Sequence, residues 1–417
     1  MRHPPVDQAA TEDTHLPGGV QPLRSGVECS EAFKLEFAQM SIRFLHTSDW
    51  QLGMTRALFS ADAQARYADD QIEAIRQLAR TASEQACAFA VVAGDVFDSL
   101  LPSRRVVTRA VDALATFSIP VFLLPGNHDA DNPAGLWAPG RMPVNLPPAV
   151  RVLHDATPVQ VPDLPVEVVG APWPSRKPDM DLLEAALAPL DPAPSGTMRV
   201  AIGHGPVDSL NPDPLAASLI SVAGLRAAIE SCRVSYVALG DRHSLTEVSE
   251  RVWYSGAPVA TDFDEIDSNK ALVVDLDPDG AAVEPVTIGR WHFVRRHFDL
   301  DGAESVRALA DSLASLPNKE RTAVRLALVG TIDLATAELL DQTLAESRDL
   351  LASLEVSEGR SELVVIPADS DLAAIDLSGF ASEAVAELSR TAAATGQEAE
   401  AARDALMLVR RLAARGR

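Results

Sequence analysis

Apolar and polar positions along this chain alternate between two rhythms. Short runs at Ile42 to Thr47, Phe89 to Ala93 and Pro120 to Leu124 are almost wholly apolar and too short for helices, which predicts buried strands. Between them the period lengthens. Ala63 to Ala86 carries Ile72, Ile75 and Leu78 at helical spacing, and Ser103 is placed to cap a helix running to Phe117. Further strands are expected at Val166 to Val169, Val200 to Ile202, Tyr236 to Leu239, Val252 to Tyr254 and Ala271 to Leu276. Strands alternating with helices, then strand-rich sequence, predict a layered α/β domain built on packed sheets.

Near Trp291 the pattern restarts. A strand through Phe298, a helix from Ser305 to Leu313, a strand from Ala323 to Leu328, a helix from Leu334 to Leu354 and a strand from Leu363 to Ile366 make a small α+β module. From Leu377 the sequence reads as helical, with Thr395-Gly396 marking a break. Val385, Leu388, Leu406, Val409 and Leu412 offer an apolar face to the body of the protein or to a partner helix. Residues 1–39 show no sustained period and are rich in Pro, Gly, Thr and acidic residues. They read as a disordered leader or as the product of a mis-called start, with folded sequence beginning near Met40.

Composition narrows the setting. Apolar content of 47% with 23% charged residues is ordinary for a globular chain. No apolar run approaches the roughly 20 residues that span a bilayer, and no signal core is visible, so a cytoplasmic protein without membrane contact is expected. The three cysteines have no metal or redox spacing. A formal charge of −23 argues against an unaided grip on nucleic acid. The basic residues come in small groups (Arg104-Arg105, Arg290, Arg295-Arg296, Arg410-Arg411), each of which alone reads as solvated surface.

The chemistry sits where the apolar runs end. Ser48-Asp49-Trp50-Gln51, Gly94-Asp95-Val96-Phe97-Asp98, Gly126-Asn127-His128-Asp129, Gly203-His204-Gly205 and Gly240-Asp241-Arg242-His243 each deliver a carboxylate, amide or imidazole. Together they suit a two-metal site that attacks phosphate esters. Asp49 and Gln51 would share a face in an extended segment, as would Asp241 and His243. Asp95 could bridge two ions, Asn127 ligates only through its amide oxygen, and His204 offers imidazole. Hard oxygens mixed with imidazole suit manganese, iron or magnesium better than a thiolate zinc site. Singly, each motif has a plainer reading. Asp95 or Asp98 could cap a helix, and Asn127-His128-Asp129 could be a polar turn. His46 reads as a structural, partly buried histidine, while His154, His292 and His297 have no companions at ligand spacing. Only the metal reading accounts for the motifs together.

The ordered series Arg43-Phe44-Leu45-His46-Thr47-Ser48-Asp49-Trp50, Ala93 to Asp98, Pro125 to Asp129, Tyr236 to Gly240 and Tyr254-Ser255-Gly256-Ala257-Pro258 resembles the calcineurin-like metallophosphoesterase superfamily. Within it, the chain resembles the SbcD type of DNA repair exonuclease, over about Ile42 to Glu265. The resemblance implies a four-layer α/β β-sandwich flanked by helices, with a small α+β capping domain and C-terminal helices. The corresponding division is 40–288 catalytic, 289–372 capping and 373–417 partner-binding.

It implies one ion held by Asp49, Gln51, Asp95 and His243, and a second held by Asp95, Asn127, His204 and Asp241. Manganese is the first expectation, with Fe2+ or Mg2+ as the others. His128 falls on the catalytic histidine, with Asp129 orienting it. Implied partners are DNA ends, an SbcC-like coiled-coil ATPase and a second copy of the chain. Two positions depart from the pattern: Gln51 and Asp241 stand where the family usually has His. The exchange should weaken the first ion and favour harder metals. The same fold also serves small-molecule, cyclic-nucleotide-type phosphodiesterases, and a weakly active scaffold subunit is a further alternative. The extra module and helical tail favour the DNA reading.

Overall fold

Strand β1 (Ile42–Thr47) meets apolar neighbours on both faces, which explains why its run shows little polar alternation. The computed structural model describes residues 41–211, 218–366, 380–392, 394 and 396–415, and the expected leader at 1–39 lies outside them. After β1 come α1 (Ala61–Glu84), β2 (Phe89–Val92), α2 (Arg104–Leu114), β3 (Val121–Leu123), β4 (Val150–Val152), β5 (Val159–Gln160) and β6 (Val166–Gly170). They are followed by α3 (Leu182–Leu187), β7 (Met198–His204), α4 (Val222–Glu230), β8 (Tyr236–Gly240), β9 (Thr246–Ser249), β10 (Val252–Tyr254), β11 (Lys270–Leu276) and β12 (Ala281–Thr287).

These strands form two six-stranded sheets, ordered β12-β11-β1-β2-β3-β4 and β5-β6-β7-β8-β10-β9. Phe44, Phe89, Phe122, Val200, Ile202 and Tyr236 fill the space between them. Helices α1 and α2 cover the outer face of the first sheet through Ile75, Leu78 and Val107. Helices α3 and α4 cover the second through Leu183, Leu187 and Leu225. The layers therefore run helix, sheet, sheet, helix. Ser103 caps α2 as expected, its hydroxyl accepting from Val106 N, so neither Asp95 nor Asp98 is a helix cap. The exposed edge strand β12 escapes the pattern because Pro285 and Glu284 interrupt its apolar alternation.

A third sheet is built from β13 (His292–Leu300), β14 (Thr322–Ile332), β15 (Ser353–Val356) and β16 (Glu362–Val365). Helices α5 (Ala303–Ala314) and α6 (Leu334–Arg348) pack on it around Leu309, Leu313, Val324 and Leu340. The helix expected to reach Leu354 stops at Arg348, because Ser353–Val356 pairs in parallel with β14. Asp70 of α1 ties this unit to the sandwich, accepting from Arg321 Nε at 2.7 Å and Trp291 Nε1 at 2.9 Å. The last helices, α7 (Phe380–Ala392) and α8 (Gln397–Arg415), are separated at Gly396 (φ 111°). Val385, Ala402 and Leu406 pack with Leu334 of α6, so this apolar face is turned to the protein's own body. The Leu412 side chain lies outside the described residues. No helix among the described residues is long and apolar enough to cross a membrane.

His46 is structural and wholly buried rather than partly so. Its Nε2 faces Leu239 O at 3.2 Å and its Nδ1 the Tyr236 hydroxyl at 3.3 Å, across the two sheets. Burial pushes its pKa down to about 3, against a smaller upward pull from the Leu239 carbonyl. An unfolded histidine titrates near pH ~6.5, so between these values the unfolded chain binds the extra proton. Stability from this group is complete above pH ~6.5 and falls on acidification by up to roughly 1.4 kcal/mol per pH unit. Urea unfolding of the parent and His46→Leu at pH 7 and pH 5 checks this. The variant should lose visibly less stability on acidification, and equal losses would exclude His46 as the source.

Candidate metal centre

Strands β1, β2 and β3 run parallel in one sheet, and β7 and β8 run parallel in the other. Each polar motif follows the C-terminal end of one of these strands, the edge at which α/β sheets bind ligands. The loops after β1 and β2 are zipped together: Asp49 N donates to Gly94 O at 3.1 Å, Gln51 N to Asp95 O at 3.0 Å and Leu52 N to Val96 O at 3.0 Å. Across the gap between sheets, Asp241 N donates to both Asp49 oxygens at 3.1 Å.

Asp49 (φ 54°), Gln51 (φ 49°), Asp95 (φ 53°) and Asp241 (φ 91°) all adopt the left-handed backbone. For a residue with a Cβ this costs on the order of 1–3 kcal/mol, and such strain gathers at functional sites. The finding corrects the expectation of extended segments. Asp49 with Gln51, and Asp241 with His243, are gathered by left-handed kinks at strand ends rather than by a period of two.

The four side chains expected around the second ion converge. His204 is held by Nδ1 facing Ala93 O at 2.9 Å and by Trp173 Nε1 donating to its carbonyl at 2.6 Å. Its Nε2 lies 2.9 Å from the Asn127 side-chain amide, 3.5 Å from Asp95 Oδ1 and 3.7 Å from Asp241 Oδ1. With Nδ1–H donating to Ala93, the neutral ring turns an Nε2 lone pair to the centre, where the Asn127 amide nitrogen satisfies it and reaches both Asp95 oxygens at 3.1 Å. An imidazole lone pair, two carboxylates and an amide that can turn its oxygen inward are a donor set that fits a divalent cation. Burial opposes charge on His204, but Asp95, Asp49 and Asp241 outweigh it and hold the pKa at about 9. Burial also pushes Asp49 and Asp241 upward, with the neighbouring histidines pulling the other way. Asp49, Asp95 and His204, all buried, bring ligand atoms within 4.8 Å of one another.

The set expected around the first ion is built differently. Gln51 turns Nε2 towards Asp95 and donates to Oδ2 at 2.7 Å, while its buried Oε1 has no hydrogen-bond partner. Asp49 already accepts from Ser48 Oγ at 2.7 Å. His243 Nε2 stands 3.9 Å from Asp49 Oδ1. On the other side of that ring, Nδ1 faces Thr261 Oγ1 at 2.7 Å and Glu265 Oε1 at 3.1 Å. Burial lowers the pKa of His243, and the Glu265 hydrogen bond with Asp49 more than reverses it, to about 9. Glu265 orients a metal-type histidine, yet no motif marks it, because the turn that brings it there is made by folding.

His128 is partly exposed beside the centre, with Nε2 4.0 Å from Asp95 Oδ2. Its backbone N–H donates to Asp95 Oδ1 at 2.9 Å. The expectation that Asp129 orients this ring is corrected. Both Asp129 oxygens are taken by backbone donors, Gly126 N at 2.8 Å and Phe97 N at 3.1 Å. Burial and the Asp95 charge raise Asp129 to about 7, those donors pulling against them. The group that faces His128 Nδ1 is Asp98, through its carbonyl at 3.1 Å and its carboxylate at 3.5 Å. His154, His292 and His297 contribute nothing to the centre: His154 pairs with Asp131 and His297 with Asp299 at the surface, and His292 opens the third sheet.

A stretch of 91 residues is 37% identical to the DNA double-strand break repair protein Mre11 of Archaeoglobus fulgidus, covering 21% of this chain and 19% of that protein. Among solved structures, TT1561 of Thermus thermophilus is similar at 12% identity and a TM-score of 0.37, over 60% of this chain and all of that one. GAP50, the anchor in the inner membrane complex of Plasmodium, gives 12% identity and the same TM-score of 0.37, over 59% of this chain and 84% of its own. The model of the calcineurin-like phosphoesterase family matches residues 42–244, the span from β1 to just past the Asp241-Arg242-His243 motif. Residues 42–244 are thus a calcineurin-like metallophosphoesterase domain, and every candidate metal ligand lies within it.

Proposed function

We propose that the chain is a metal-dependent phosphodiesterase acting on DNA ends, working with an SbcC-like coiled-coil ATPase. The convergence of Asp95, Asn127, His204 and Asp241 on one point carries the reading of phosphoester chemistry. When bound there, a divalent cation, manganese first, neutralises charge on a phosphoryl group. The chain's own residues do the rest. Asp95 organises the site by accepting from the His128 N–H and the Gln51 amide. Asp98 fixes His128 from behind, leaving Nε2 turned to the cleft, where it can give a hydrogen bond or a proton to a leaving oxygen.

DNA, rather than a small diester, is supported by a basic face next door. Arg295, Arg296, Arg325 and Arg360 line a surface cavity of about 290 Å³ on the third sheet. Arg325 lies 4.2 Å over the Phe263 ring, and Arg295 pairs with Asp264 at 2.5 Å. Phe263 and Asp264 belong to the turn whose Thr261 and Glu265 hold His243, so one turn seats both the arginines and a metal-type histidine. Arg296 and Arg360 form no ion pair within 4 Å among the described residues, Arg360 acting only at longer range on Asp264, an arrangement suited to phosphates in a chain of net charge −23. The double variant Arg296→Glu/Arg360→Glu should weaken duplex binding and cut the slope of log affinity against log salt by about one per arginine removed. Fluorescence anisotropy across a salt series reads this, with metal content as the folding control. An unchanged slope would take the arginine face out of the reading.

The test of the function is manganese-dependent nucleotide release from linear duplex DNA, run beside hydrolysis of a chromogenic small diester. DNA turnover that chelation abolishes supports the proposal. Diester turnover without DNA turnover, with the ATPase present, would move the chain to the small-substrate class. Inactivity on both with metal bound would make it a scaffold subunit.

A further inference from the structure

We propose that Arg56 and Arg295 are phosphate seats on a track from the metal centre to the arginine face, and that Asp262 and Asp264 are stand-ins which the phosphates of a DNA strand displace. The inference rests on the DNA reading above and gives that substrate its path.

The track is continuous. Arg56 lies in the loop that follows Gln51, with its guanidinium 5.6 Å from the centre of the Phe293 ring. Phe293 meets Phe263 edge-on at 5.2 Å, and Phe263 carries Arg325 at 4.2 Å and Arg295 at 5.9 Å. Arg295 and Arg325 in turn line the cavity shared with Arg296 and Arg360. The rings attract the guanidinium groups without neutralising their charge.

The ion pairs at this turn are poor ones. Elsewhere in the protein an arginine grips its carboxylate with two prongs. Arg43 reaches Asp275 through Nε and Nη2, both at 2.8 Å, and Arg199 reaches Glu167 through the same two atoms at 3.0 and 2.9 Å. Arg56 instead meets Asp262 through Nη2 at 3.0 Å, and Arg295 meets Asp264 through Nη1 at 2.5 Å. In both, the buried Nε–H has no hydrogen-bond partner among the described residues. The Asp262 side chain is 48% exposed and that of Asp264 80%, so water competes for each carboxylate and the pairs are weak. A phosphodiester offers two unesterified oxygens, the geometry a guanidinium fork takes best.

The turn can give up these carboxylates without moving. Glu265 is its inner anchor, accepting from Thr261 N at 3.0 Å and Asp262 N at 3.1 Å while it faces His243. Rotation of the Asp262 and Asp264 side chains is enough to free the arginines. A carboxylate freed in this way recovers a cation as the DNA releases one. The exchange therefore adds little to the salt dependence of the parent, and amides in place of the two carboxylates remove that offset.

The experiment measures fluorescence anisotropy of a labelled linear duplex with full-length protein across a salt series. Asp262→Asn/Asp264→Asn should bind about tenfold more tightly than the parent at low salt. Its slope of log affinity against log salt should be steeper by about two, close to one for each arginine released. Asp69→Asn/Asp112→Asn makes the same change of charge but releases Arg109 and Arg76 on the outer helices, and should gain much less. Arg56→Gln/Arg295→Gln should bind several-fold more weakly than the parent, and in its background the two amides should add nothing. Equal gains in the two amide variants overturn the inference, since net charge alone would explain them. So does a gain that survives loss of the two arginines, or a folded Arg56→Gln/Arg295→Gln variant that binds like the parent. Parent and variants that all fail to bind duplex at low salt overturn the DNA reading and the track with it, whereas binding with an unchanged slope overturns the track alone.

Discussion

Replacing Asp95 with Asn should abolish stabilisation by manganese and lower phosphodiester hydrolysis by at least about two to three orders of magnitude. The metal-free fold should stay within about 1 kcal/mol of the parent. The first half follows from charge. Asp95 is 2% exposed and lies between His204 Nε2 and the Gln51 amide, so its carboxylate is the anion shared by both halves of the centre. The second half is a balance. Asn can accept from only one of the two donors, the His128 N–H and the Gln51 amide, that Asp95 now satisfies. Against that loss, the Asp95 charge raises the pKa values of Asp49, Asp129 and Asp241, so its removal relieves repulsion inside a buried acidic cluster. A cation at about one hundred times its Kd stabilises the parent by about 2.7 kcal/mol. Thermal melts with and without manganese separate these contributions. A variant that still gained stability from manganese would show that Asp95 is not a ligand.

How far the centre is legible in the sequence depends on what holds each residue. Asp49, Asp95, Asn127, His204 and Asp241 are readable because each ends an apolar run, and parallel strand order delivers run ends to one edge. The reason for their convergence is not readable from spacing, since left-handed backbone at Asp49, Gln51, Asp95 and Asp241 leaves no period in the sequence. The partners that set ring orientation are further from view. Asp98 reaches His128 across 30 residues and Glu265 reaches His243 across 22, each through turns made only in the folded chain. Asp129 shows the opposite failing: adjacency to His128 suggests a contact, but a tight turn spends both its oxygens on backbone N–H groups. Among the elements, β1 and β2 are readable because both faces are buried. Strand β15 hides at the end of a helical pattern and exists only through its parallel pairing with β14.

Gly94→Ala should be among the most damaging small substitutions in the centre, lowering stability by roughly 3 kcal/mol or more and removing manganese binding with it. A Cβ at Gly94 would lie 2.1 Å from His204 Nδ1 and 2.5 Å from Cγ, far inside contact distance. The ring cannot retreat. Nδ1 is bonded to Ala93 O, Trp173 Nε1 clamps the His204 carbonyl, and the Trp173 ring stands edge-on to the imidazole at 5.8 Å. Any movement that accommodates the methyl group therefore carries Nε2 away from Asn127 and Asp95. The backbone adds its own penalty, with φ at +90°. Gly140→Ala isolates that part: its φ is +76°, but a Cβ there meets nothing within 4 Å. It should cost only about 1–2 kcal/mol and leave manganese binding intact. Melting both variants with and without metal distinguishes backbone strain from displacement of His204. Equal losses in the two would mean that left-handed geometry alone demands glycine before Asp95, and that the close approach of His204 is not the constraint.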